Sequence, residues 1–260
     1  MRSALLTAVA LCCFAFPAFA AVKGETVTYT AKDGTVLEGY VAYDDAAKKP
    51  RPGILIVHDW MGLGKFAKHK ADKLAAMGYV AFAADIYGKG VRPANADAAG
   101  KLATKYKMDR PLLRARAKAA YDALQARPEA THRKTLVMGY CFGGTTALEL
   151  ARSGAKLSGV VSFHGGLDAP LPAQPGAITA PVLVLHGADD PFVPPPEVNA
   201  FKMEMQAANV ALQFVEYPGA VHAFTNPAAG HDNRAGAAYN AEADKASWQE
   251  FRRFLRSVLG

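Results

Sequence analysis

Cysteine is scarce in this chain of 260 residues: Cys12, Cys13 and Cys141 are all there is. No C-x-x-C pair and no H-x-x-x-H spacing occurs, so the ligand patterns of structural zinc and of helical zinc hydrolases are missing, and His58 and His164 stand without metal-binding company. Internal repeats and low-complexity tracts are also missing, which excludes a repeat array. The charge balance, 30 Lys and Arg against 23 Asp and Glu, gives only +7, and the cations between Lys101 and Lys134 are spread along what read as solvated helical faces. Nucleic-acid binding wants a clustered basic patch with interleaved aromatics or a recognised module; neither is here, although an anionic small molecule stays open. Apart from the first twenty residues, no apolar run approaches membrane-spanning length.

Those twenty residues have a plan of their own. Arg2 supplies a positive start, residues 4–15 an apolar stretch, and Ala18-Phe19-Ala20 an A-x-A cleavage signal, the pattern of a secretory signal peptide. The expectation is a leader over 1–20, an exported (periplasmic or secreted) protein and one domain over 21–260. Cleavage would leave a charge of +6, because Arg2 is lost, and a single thiol, Cys141. A lone cysteine in an exported chain calls for explanation as a reactive thiol or an intermolecular partner.

The mature length suits one large α/β domain. Residues 25–30 and 36–43 read as an opening antiparallel pair around the turn signal Lys32-Asp33-Gly34. Six runs of buried character follow, at 53–58, 79–85, 135–140, 159–163, 181–186 and 212–217. Helical patterns separate them at 66–77, 111–125, 144–152, 197–208 and 241–258; in the last, Trp248, Phe251, Leu255 and Val258 recur at helical spacing as a core-facing stripe. The alternation predicts an α/β fold, a mostly parallel twisted sheet of about eight strands with helices on both faces. Residues 168–181 and 227–236 read as loops.

The chemistry gathers behind the strand at 135–140. Gly139-Tyr140-Cys141-Phe142-Gly143 reads as a nucleophile elbow, a strained strand-to-helix turn whose flanking positions must be nearly free of side chain. The helix that follows would aim its N-terminus at Cys141 and favour the thiolate. A cysteine nucleophile needs a base, and the base an orienting group. Downstream, His186-Gly187-Ala188-Asp189-Asp190-Pro191-Phe192 follows one strand and Val221-His222-Ala223-Phe224 the next. Thiol, carboxylate and imidazole therefore fall in α/β-hydrolase order on three loops at the ligand-binding edge of an open sheet.

These three motifs together resemble the dienelactone hydrolase family of α/β-hydrolases, from about Val36 to the end. The resemblance implies an α/β-hydrolase fold, Cys141 as nucleophile, Asp190 rather than Asp189 as the acid, and His222 as the base. It places the oxyanion hole at the backbone N–H groups of Phe142 and Trp60. Asp59 falls where the family puts a carboxylate against the resting thiol, with a helix cap for 66–77 as its rival role. Lys89 and Asn226 fall at the substrate-binding positions, where dienelactone hydrolase carries arginines. The expected activity is hydrolysis of a small ester, lactone or thioester through a thioester acyl-enzyme, without metal or cofactor, nucleic-acid partner or stable membrane insertion. One cation kept as lysine and one lost point away from the namesake dienelactone. The alternative is a binding or redox-responsive thiol protein on the same fold.

Overall fold

The computed structural model describes residues 22–260; the leader expected over 1–20 lies outside the described residues. β1 (Val22–Thr30) and β2 (Val36–Asp44) form an antiparallel pair over nine register positions. Then come β3 (Arg51–Val57), α1 (Lys65–Ala75), β4 (Val80–Ala84), α2 (Ala96–Met108), α3 (Arg110–Gln125) and β5 (Ala130–Tyr140). α4 (Phe142–Arg152), β6 (Gly159–Phe163), β7 (Val182–Gly187), α5 (Pro195–Ala207), β8 (Leu212–Tyr217) and α6 (Ala241–Leu259) complete the chain. All eight strands join one sheet in the order β1-β2-β4-β3-β5-β6-β7-β8, parallel from β4 to β8. This is the α/β-hydrolase fold.

Strand alternation divides the core into two layers. Ile54 and Ile56 of β3 pack with α1 and α6 on one face, whereas Leu55 and Val57 pack with α3, α4 and α5 on the other. The expected stripe of α6 holds: Phe251 and Leu255 are buried, with Trp248 and Val258 packed beside them. β5 has the central place, flanked by β3 and β6, so the loop leaving its C-terminal end emerges between two other strand ends.

Three features depart from the sequence reading. β8 is half-buried, because it closes the sheet at an edge and has only β7 beside it. α2 was not anticipated; its buried positions are Ala99, Ala103 and Tyr106, too small a stripe to stand out, although Asn95 caps it by accepting from Ala98 N–H. The cations between Lys101 and Lys134 are not all solvated. Arg116 is buried and forks onto Asp33 at 2.9 Å with both nitrogens. Arg110 is buried against Asp168, while Arg114 meets the buried Glu149 at 2.7 Å. Long guanidinium stems reach into clefts between helices where a carboxylate waits, and helical spacing on one chain segment does not disclose such distant partners.

Candidate active site

Cys141 sits at φ 55°, ψ −120°, a conformation that costs a non-glycine residue on the order of 1–3 kcal/mol and persists only where its surroundings enforce it. The enforcement is visible on both sides. Any Cβ on Gly139 would collide with the backbone of Gly143, and any Cβ on Gly143 with the carbonyls of Val57 and His58. Cys141 N–H donates to Phe163 O at 3.0 Å, anchoring the elbow to the end of β6. α4 starts at Phe142, two residues earlier than the sequence pattern indicated, so Cys141 is its N-cap. His164 (φ 40°) and Ala223 (φ 58°) are strained as well, and both lie in loops beside the elbow.

Asp190 is buried and shared between two donors. Its Oδ1 accepts from Phe192 N–H at 2.8 Å and its Oδ2 lies 2.7 Å from His222 Nδ1. Asp189 is exposed, and its contact with the histidine loop is through its backbone N–H to Ala220 O. Burial disfavours a charged His222, but the Cys141 sulfur by charge and hydrogen bond, together with the Asp190 bond, outweighs it and raises the imidazole to about 10. The ring is thus held protonated against the Asp190 carboxylate. His164 faces it edge-on at 5.3 Å between centroids, and burial, then the neighbouring His222, pushes the His164 pKa far down. One of the two adjacent imidazoles carries the proton and the other stays neutral.

Over the other flank lies the turn from Asp59 to Gly62, closed by Gly62 N–H to Asp59 O at 3.2 Å, with Gly62 at φ 84°. Asp59 Oδ1 accepts from Met61 N–H at 2.8 Å, and burial raises its carboxyl pKa. The side chain is spent within its own turn: the N-cap of α1 is Gly64, with no side-chain cap bond, and among the described residues no hydrogen bond joins Asp59 to Cys141. Trp60 O accepts from Tyr87 OH at 3.0 Å, and Tyr106 of α2 bonds Tyr87 O at 3.0 Å. Burial, then the charge on Cys141, keeps the Tyr87 phenol protonated, so it remains a donor. The N–H of Phe142, first in α4, has no acceptor within its helix, and Trp60 N–H meets no acceptor among the described residues. Tyr87, Tyr106, Phe142 and His58 form the aromatic wall behind this flank.

Lys89 and Asn226 are not drawn into this cluster. Lys89 is exposed and bonds Val36 O through its backbone, at the β2 side of the sheet, while Asn226 Oδ1 accepts from Ala228 N–H and caps the turn Pro227–Ala229. His58, His164 and Phe192 are the neighbours that sequence reading did not assign to the site. The available signal was that both histidines directly follow an apolar parallel strand, where a side chain reaches the ligand edge. Among the described residues no group of His, Cys, Asp and Glu is placed to hold a metal, and no helix is long and apolar enough to cross a membrane.

Sheet order and strand–turn–helix elbow define the chain as an α/β-hydrolase. The family model of the dienelactone hydrolase family matches residues 37–259. Protein usf of Aquifex pyrophilus is 32% identical over 202 residues, covering 75% of this chain and 84% of that protein. Among solved structures, m3DLH superposes with a TM-score of 0.88 at 38% identity, over 92% of this chain and 100% of its own. A dienelactone hydrolase-like promiscuous phosphotriesterase, P91, from metagenomic libraries, superposes at 0.85 with 39% identity and the same coverage. The chain belongs to the dienelactone hydrolase family and is a hydrolase of that kind.

Proposed function

We propose that this hydrolase cleaves a small ester, lactone or thioester with Cys141 as nucleophile, His222 as base and acid, and Asp190 as the group that orients His222. The observation that carries the reading is the His222 ring, bonded at Nδ1 to the Asp190 carboxylate at 2.7 Å and neighboured by a strained Cys141 at the head of α4, both of which raise its pKa. The thiolate attacks the carbonyl carbon, a C–S bond forms, and the oxyanion is taken by the N–H groups of Trp60 and Phe142. Collapse breaks the bond to the leaving alkoxide or thiolate, which receives the His222 proton. Water, giving a proton back to His222, then attacks the thioester; the thiolate leaves and the acid is released.

Apolar groups are exposed on the loops that carry the site. Phe192 is 58% exposed and stands edge-on to His222 at 5.5 Å, and Trp60 and Met61 are partly exposed on the facing turn. Together with the commitment of Asn226 to its own turn, this favours a neutral, apolar acyl or alcohol portion over the carboxylate-bearing dienelactone. Action outside the cytosol, directed by residues 1–20, belongs to the same proposal. Its test is whether the expressed protein starts near Ala21 and leaves the cell fraction that holds cytosolic markers.

Cys141→Ala should abolish turnover of short aryl esters, and undiminished turnover in that variant would overturn the reading. The substrate panel should carry lactones, acyl thioesters and, because of the P91 relative, an aryl phosphotriester. Rapid labelling of Cys141 by iodoacetamide with no turnover on any of them would favour a redox-responsive thiol instead.

A further inference from the structure

His58 directly follows β3 and is buried, with both ring nitrogens engaged. Ile86 N–H donates to Nε2 at 3.2 Å, and Nδ1 lies 2.6 Å from Asp59 O. A backbone N–H can only donate, so Nε2 carries no proton; the proton sits on Nδ1 and is given to the Asp59 carbonyl. Burial holds the ring neutral, with its pKa lowered to about 4, so this tautomer is present across the neutral range.

The acceptor matters because Asp59 C=O and Trp60 N–H belong to one amide. No cis peptide bond occurs among the described residues, so that carbonyl and that N–H point in opposite directions from a single rigid plane. Holding the oxygen from behind aims the hydrogen forward. The bond also polarises the amide and makes its N–H a stronger donor. Tyr87 OH fixes the next carbonyl, Trp60 O, at 3.0 Å, so the peptides on both sides of Trp60 are held. The same imidazole lies nearly parallel to the Phe142 ring, 18° between planes and 5.8 Å between centroids, and Phe142 carries the other N–H of the pocket.

We propose that His58 is a positioning residue for oxyanion stabilisation: through its Nδ1–H bond to the Asp59 carbonyl it sets the Trp60 N–H, beside the Phe142 N–H, toward the acyl oxygen over Cys141. The inference rests on the proposed Cys141 mechanism and deepens it. His58 touches neither the sulfur nor the acyl group, and its effect belongs to the transition state, in which negative charge develops on oxygen. Ground-state binding and thiol reactivity toward an alkyl halide, which needs no oxyanion hole, are independent of it.

The test compares His58→Phe, which keeps an aromatic ring but makes neither bond, with His58→Gln, whose amide can accept and donate. With an aryl ester substrate, His58→Phe should lower kcat by about tenfold or more, short of the 10²–10³ lost when an oxyanion donor is removed outright. KM and the iodoacetamide rate at Cys141 should stay near their original values, and His58→Gln should recover most of kcat. Unchanged kcat in the folded Phe variant overturns the proposal. So does a parallel fall of kcat and alkylation rate, or a Gln variant no better than the Phe one. Failure of the underlying mechanism shows elsewhere, as turnover surviving in Cys141→Ala.

Discussion

At Asp190 a single carboxylate makes two bonds with different purposes. Its Oδ1 fixes the loop through Phe192 N–H, and its Oδ2 fixes the His222 ring and its tautomer. Asp190→Asn preserves the shape but presents an N–H either to His222 Nδ1 or to the Phe192 N–H, which then loses its acceptor. The variant should lose at least about a hundredfold in kcat, within the usual worth of positioned acid–base catalysis. Its His222 pKa should fall from about 10, a change that ring nitrogen NMR shifts would follow directly. The sign for stability follows from the same shift. His222 binds its proton more tightly folded than unfolded, where the value is about 6.5, so its contribution is complete below that pH and lost as pH rises through about 10. Urea midpoints between pH 7 and 10 should decline in the parent protein and decline less in Asp190→Asn.

Elements are where two glycines give predictions of opposite sign. Gly143, in the first turn of α4, lies where a Cβ would strike the Val57 and His58 carbonyls, backbone atoms that cannot yield without moving β3 and the turn after it. Gly143→Ala should therefore lower both the melting temperature and kcat, by about a hundredfold or more for a donor pocket pushed out of place. Gly100, inside α2, would place its Cβ 3.9 Å from the Trp60 ring, an ordinary contact. Gly100→Ala should stabilise by about 0.8–1 kcal/mol from helix propensity alone, raising the melting temperature by about 2–4 °C with turnover intact. Elements also explain what was hard to read in advance. The elbow was legible because its glycines answer a local steric need within five residues, whereas α2 lacked any apolar stripe beyond two alanines and Tyr106.

Over the whole molecule, neutral buried histidines set an acid limit. His58 is lowered to about 4 and His164 well below its ordinary value, burial being the main cause in both. Unfolding lets each take up a proton near pH 6.5, so stability should fall as pH drops below that value, by about 1.4 kcal/mol per pH unit for each histidine. Urea midpoints at pH 7, 5.5 and 4.5 measure the slope, and His58→Gln should reduce it. The eight strands, the family and the order of thiol, carboxylate and imidazole could be read from the chain, because apolar runs, turn residues and motif spacing are properties of neighbouring residues. The resemblance had already pointed to Asp190 rather than Asp189; that Asp59 is spent on its own turn, that Asn226 caps another, and that His58 stands behind the Trp60 amide were decided only by the tertiary structure. The Asp190–His222 and Ile86–His58 bonds join different strand ends and so depend on sheet order, while the bonds of Asp59 and Asn226 close within two residues and depend on a loop curvature that the packed sheet imposes and a short stretch of sequence does not encode.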